Sequence, residues 1–275
     1  MDSRYKQEVS KYGKKDAVIA LCLFIFYCVW SVGFALTVRT FEETLTGQQL
    51  QVLGILLSIL LVAIVFVIIF AKKQRFSSIG FHKEILWPAT RLGIMFALIP
   101  LTVAGLLPGA MHGWELFSFG LMAYLLFYAL VLAGTEDIVF VGFIQTRLYG
   151  LFKSDKWAVG IGAILFSIGH VPAWLIMGNL DLSNLLFFGI FVVFWAVMHW
   201  VSVSLFKKYF SIIPVMILHT VSNFSQTSIW VLTDENREYA ESWAMTAMLV
   251  LIVAVSIWSW YTSRRAEKTS VEKTQ

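Results

Sequence analysis

The feature that most constrains this chain is a series of apolar runs, each about 20 residues long, separated by short polar connections. About 20 apolar residues make a helix that crosses a hydrocarbon core roughly 30 Å thick. The chain is 59% hydrophobic and 14% charged, whereas a soluble domain carries about a quarter of its residues as charges. The expected fold class is therefore all-α: a polytopic membrane helical bundle of about eight transmembrane helices, forming one domain.

The spans are expected near residues 17–37, 51–71, 92–107, 116–148, 157–177, 182–205, 212–232 and 243–261. Residues 1–16 read as a basic cytoplasmic segment, 17–262 as the bundle, and 263–275 as a charged tail expected to be disordered. The first run is long for a cleaved leader and is expected to stay as a helix. Cys22 and Cys28 share that span, about 9 Å apart in rise alone, too far for a disulfide. With alternating helices, every one of the 21 Lys and Arg residues except Arg39 and Arg237 falls on the side of the N-terminus. Cations mark the cytoplasmic side, so both termini are expected in the cytoplasm of a multi-pass cell-membrane protein. The formal net charge of +4 follows from this anchoring. No nucleic-acid partner is implied; the partners are membrane lipid and a peptide or protein within the membrane.

Three segments break the apolar pattern. Ala133 to Gln145 carries Glu136 and Asp137 side by side, and an ionisable side chain at that depth costs about 2.5–3.5 kcal/mol on insertion scales. Phe166 to His170 and His219 to Asn223 are the other two. Counting about 1.5 Å per residue from Arg147, Lys156 and Lys208, the groups Glu136, His170 and His219 lie roughly 16, 21 and 16 Å deep. Asn223 follows His219 by one turn on the same face. Pro172 is expected to kink its helix and free backbone carbonyls. Ser222, Ser225, Gln226 and Ser228 suit an interior better than lipid.

A carboxylate and two imidazoles at one level suit hydrolysis. Glutamate can take a proton from water and return it to a leaving amine, and an imidazole or amide can stabilise an oxyanion. Glu136, His170, His219 and Asn223 could equally hold a divalent metal such as zinc with a water at an open position. A lone membrane histidine, by contrast, is as readily a helix–helix hydrogen bond; the matched depth argues against that for His170 and His219. His199 has no partner at its depth and reads as structural, while His82 and His112 read as loop residues.

At these residues the chain resembles the CPBP family of intramembrane endopeptidases, which groups type II CAAX prenyl proteases with bacteriocin-processing and immunity proteins. The family motifs are Glu-Glu with Arg four residues later, Phe four before His, and His four before Asn or Asp. Here they read Glu136-Asp137 with Val141 in place of Arg, Phe166 to His170, and His219 to Asn223, over roughly residues 116–228. The resemblance implies an endopeptidase in which Glu136 and His170 activate water while His219 and Asn223 hold it and the oxyanion, with Asp137 and Phe166 in support. With Val141 unable to pair with it, Asp137 is expected to sit protonated and hydrogen-bonded, leaving Glu136 to the chemistry. The alternative is a non-catalytic relative that regulates another membrane protein or confers bacteriocin immunity. A proton-coupled transporter would also use midplane Glu and His, but no inverted repeat supports it.

Overall fold

The computed structural model describes residues 3–114, 117–178, 185–227, 229 and 237–272. These residues form nine helices and no strand. They are α1 (Ser3–Val9), α2 (Lys14–Phe41), α3 (Gly47–Ala71), α4 (Lys83–His112), α5 (Phe119–Phe152), α6 (Asp155–Ile176), α7 (Leu185–Tyr209), α8 (Ile213–Thr227) and α9 (Arg237–Glu272). Seven of them, all but α1 and α8, are long and apolar enough to cross a membrane. The chain is thus an all-α, multi-pass membrane protein.

Most helices follow the apolar runs, with informative departures. The eighth expected span corresponds to α9, which continues past its apolar stretch to Glu272, through most of the segment read as a disordered tail. A helix once nucleated can propagate through polar residues. The seventh expected span, 212–232, is the 15-residue α8, about 22 Å long; residues 228 and 230–236 lie outside the described residues. Being short and polar, α8 is suited to the bundle interior, where it packs on α4 and α5. Residues 83–91, ahead of the expected third span, form the first turns of α4, with Arg91 lying over the Trp87 ring at 4.6 Å. Pro172 sits inside the continuous helix α6.

The N-terminal segment is a larger departure. Tyr5 and Val9, at i and i+4, share one face of α1, and Tyr12 continues that face after the turn that follows. That face is buried, at 0, 1 and 3% exposure. Tyr5 packs edge-on against Phe206 and Phe210 and donates to Asp155 Oδ1 at 3.3 Å. Lys153 Nζ donates to the Tyr12 carbonyl at 2.6 Å, and Lys207 pairs with Asp155. Burial pushes both tyrosine hydroxyls well above their ordinary pKa, so they stay neutral donors. The cationic connections are thereby drawn together at the end of the bundle where α1 docks. Gly80 helps close that end: its φ of +93° is left-handed, and a Cβ there would meet Ile212 N at 2.9 Å.

At the centre stands α5. Residues 137–148 are all buried, as expected for a helix apolar on every side. Its first half packs on α3 and α8, and its second half on α2 and α6. Immediately after Glu136, residues Asp137–Ile144 widen into a π-helical segment. Such segments are rare and often mark functional sites.

Candidate active site

The three sequence segments meet around α5. From α6, the His170 Nε2 stands 3.6 Å from Glu136 Oε2. From α8, the His219 Nε2 stands 3.9 Å from the same oxygen, and its Nδ1 lies 3.2 Å from Asp137 Oδ1. His170 and His219 are 7 and 8% exposed. The Glu136 side chain keeps 27% exposure against 3% for Asp137. Of the two acids, Glu136 is therefore the one a substrate can reach. Asn223 follows one turn after His219 and is half-buried.

Hydrogen-bond partners fix how the rings present themselves. His170 Nδ1 lies 2.8 Å from the Phe166 carbonyl. A carbonyl only accepts, so Nδ1 carries the proton and a neutral ring turns an acceptor Nε2 toward Glu136. The plane of the ring is set by Trp195, stacked at 4.0 Å and 12°, and by the edge of Phe166 at 4.6 Å. The spacing Phe166 to His170 thus has two physical reasons: one turn of helix delivers both the carbonyl and the ring. The separations of 3.6 and 3.9 Å exceed direct hydrogen bonds. They match two groups that share a water or substrate atom between them.

Asp137 is hydrogen-bonded, as its chemistry demands, but through a partner on another helix. Val141 instead packs in the apolar cluster with Phe96, Val215 and Leu218, and Asp137 turns to His219.

Two residues without a sequence signal complete the pocket. Trp195, in an unbroken apolar run, stacks on His170. Tyr27 of α2 sets its ring edge-on to Phe140 at 4.8 Å, with its hydroxyl near the Glu136 carboxylate. Its ring also lies against Gly169, where a Cβ would come within 3.2 Å. His199 lies outside the cluster: its Nε2 meets Gln145 Oε1 at 3.0 Å, both fully buried. His112 closes α4 and stacks on Tyr239 at 5.1 Å, so it is helical rather than a loop residue. Cys22 and Cys28 are both free. Arg147, expected as an interface cation, is 1% exposed.

Two imidazoles and a carboxylate are a donor set that holds zinc in hydrolases. Glu136, His170, His219 and Asn223 are the residues that would hold such a metal, which would supply a polarised water there. Among the described residues no group of three or more His, Cys, Asp and Glu is arranged to hold a metal ion.

Fold and site together define a class: a polytopic helical membrane protein with an acid–imidazole cluster buried between its helices. Residues 118–225 match the family model described as type II CAAX prenyl endopeptidase Rce1-like, so the segment from α5 to α8 is similar to that family, in keeping with the CPBP resemblance. That family points to intramembrane proteolysis of the CAAX type. Comparison with curated proteins finds no match.

Proposed function

We propose that this protein is an intramembrane endopeptidase that hydrolyses a peptide bond of a membrane-associated or lipidated peptide. The observation that carries the reading is the convergence of His170 Nε2 and His219 Nε2 on one oxygen of the half-exposed Glu136, inside the segment similar to the Rce1-like family. Glu136 takes a proton from water as the water oxygen bonds to the scissile carbonyl carbon. His170, with Nδ1 tied to Phe166, offers its Nε2 lone pair to the second water proton and aligns the attack. The carbonyl electrons move to oxygen, and the oxyanion is received by the Asn223 amide and by His219. Held by the Asp137 carboxylate on Nδ1, the His219 ring can carry both protons and present Nε2–H. The C–N bond then breaks, and Glu136 returns its proton to the leaving amine.

The non-catalytic alternative draws no support from the family match. Both termini are proposed to be cytoplasmic in the cell membrane, which requires an even number of crossings: the seven long helices and, as the eighth, the segment containing α8, traversing within the bundle. The end bearing α1 then faces the cytoplasm. Labelling a cysteine introduced at Lys153 from outside intact cells, in a background lacking Cys22 and Cys28, would refute that orientation. The activity is tested with purified full-length protein in bilayers and prenylated C-terminal peptides. Cleavage is expected from the wild type and a loss of about 100-fold or more from His170→Ala and His219→Ala. Unchanged cleavage in either variant would overturn the assignment, as would inactivity of the wild type on lipidated and unmodified peptides alike.

A further inference from the structure

A cavity of about 400 Å³ opens at the end of the bundle where α1 docks. One wall is the N-terminal segment, with Lys11 and Tyr12; the other is the connection from α3 to α4, with Lys73, Arg75, Ser77 and Ser78. Two acids also line it, and both are engaged. Glu8 accepts from Lys11 Nζ and from the Tyr12 hydroxyl, each at 2.6 Å. Asp16 accepts from Gly13 N at 3.0 Å and stands 3.9 Å from Lys72. Lys73 and Arg75 are exposed and form no ion pair among the described residues.

Beneath the cavity lies a further, buried cation. The Arg147 guanidinium donates to Gln74 Oε1 at 2.6 Å and to Ser78 Oγ at 3.1 Å, and lies over the Tyr12 ring at 4.4 Å. These three partners all line the cavity. Arg147 is 1% exposed, and its Nε has no hydrogen-bond partner. Its charge acts upward through a thin polar wall, where a low dielectric screens it weakly. Lys73 is fixed at the rim by its backbone: φ is +53°, with Lys73 N bonded to Phe70 O and Gln74 N to Ile69 O, both at 2.9 Å. The site therefore has positioned cations, hydroxyl donors and a buried positive floor, at the mouth of a membrane span.

We infer that this cavity is a phosphate site, taking the phosphate group of an anionic lipid headgroup or of a soluble phosphate ester between Lys73, Arg75 and Ser77. Phosphate offers several strong acceptor oxygens and a charge that lysine, arginine and hydroxyl groups match. Basic pockets between helices on the cytoplasmic side are suited to lipid headgroups. A bound phosphate would tie the N-terminal segment to the α3–α4 connection. The site is separate from the Glu136 cluster and does not depend on the chain being a protease.

The test uses the full chain in phosphatidylcholine nanodiscs, measuring the thermal unfolding midpoint and retained lipid. One arm adds increasing phosphatidylglycerol; the other adds inorganic phosphate or glycerol phosphate to discs of phosphatidylcholine alone. Saturable stabilisation by phosphatidylglycerol alone assigns the ligand to the headgroup, and stabilisation by the soluble phosphates assigns it to the free anion. The double variant Lys73→Gln/Arg75→Gln is expected to weaken binding roughly thirty-fold, at about one cation's worth of attraction each. Lys14→Gln/Lys15→Gln, which removes two exposed lysines outside the cavity, should keep the saturable step. Ser77→Ala, a milder change, should weaken binding several-fold and serves if the double variant fails to fold. Absence of saturable stabilisation in both arms would overturn the proposal, as would equal loss in the Lys14/Lys15 control.

Discussion

Two polar clusters share α5, about three turns apart, and they answer the cost of burying charge in opposite ways. Around Glu136 the acceptors outnumber the donors. Two ring nitrogens face one carboxylate oxygen at 3.6 and 3.9 Å, and the Asp137 Oδ2 has no hydrogen-bond partner. Around Arg147 the demand is nearly met from within. The guanidinium donates to Ser78 O, Gly142 O, Thr146 Oγ1, Gln74 Oε1 and Ser78 Oγ, and lies between the rings of Tyr12 and Phe143. A cluster whose hydrogen bonds are left open is completed by water or substrate, and that is what a reaction needs. A cluster whose hydrogen bonds are closed holds helices together.

The sharpest way to break this contrast is to neutralise each centre in turn. Glu136→Gln is expected to lower the cleavage rate by at least about 1,000-fold, since it removes the group that takes and returns the proton. Stability should change by no more than about 0.5 kcal/mol, because the side chain is half-exposed and its contacts are long. Arg147→Met should do the reverse. It strands several buried acceptors, at about 1–3 kcal/mol each, and is expected to cost about 3 kcal/mol or more. Activity per folded molecule should stay within several-fold of wild type. Denaturant titration in bicelles and cleavage assays on the same preparations check both. Similar losses of stability in the two variants would erase the distinction.

The contrast also shows which features were legible in the sequence. Matched depth along three helices was enough to bring Glu136, His170 and His219 together, because rise per residue is nearly constant and cations pin the helix ends. That ruler used Arg147 as a surface anchor, yet the residue is buried under Tyr12. It worked because Arg147 still marks the cationic end of the bundle. Composition could not distinguish a snorkelling arginine from one roofed by an N-terminal helix. The stripe of Tyr5, Val9 and Tyr12 was visible in principle but short, and its polar neighbours disguised it. Trp195 and Tyr27 had no signal, because one aromatic residue in an apolar span looks like any other until its neighbours are known. The partner of Asp137 stands on another helix, and periodicity along one helix does not show which side chains of two helices meet.

A smaller effect is expected at Asp137, and it refines the account of the first cluster. Asp137→Asn keeps an acceptor of the same shape but removes the charge that balances the His219 ring. Activity is expected to fall about 10- to 100-fold, as orienting partners of functional histidines usually cost when replaced. The Michaelis constant should change little. Asp137→Ala should be worse than Asp137→Asn, because the Nδ1–H then loses its acceptor. Full activity in Asp137→Asn would mean that the acid works as a neutral group, as the sequence alone suggested.

The smallest effect belongs to the edge of the second cluster and depends on pH. Burial pushes the Glu8 carboxyl up, but the bonds from Lys11 and Tyr12, with the Arg147 charge nearby, outweigh it and hold the group below its ordinary 4.5. A carboxyl with a depressed folded value contributes stability that is present above the ordinary value and lost as pH falls through the folded one. Acidification from about pH 7 to below about pH 4 should therefore loosen α1 from the bundle, with a loss under about 1 kcal/mol for a pair at the surface. Hydrogen exchange of residues 3–12 across that range measures it. Glu8→Gln should be slightly looser at neutral pH, and its exchange should rise less on acidification than that of the wild type. Parallel acid responses in the two proteins would show that Glu8 does not clamp α1. The roof over Arg147 would then rest on the packing of Tyr5, Val9 and Tyr12 alone.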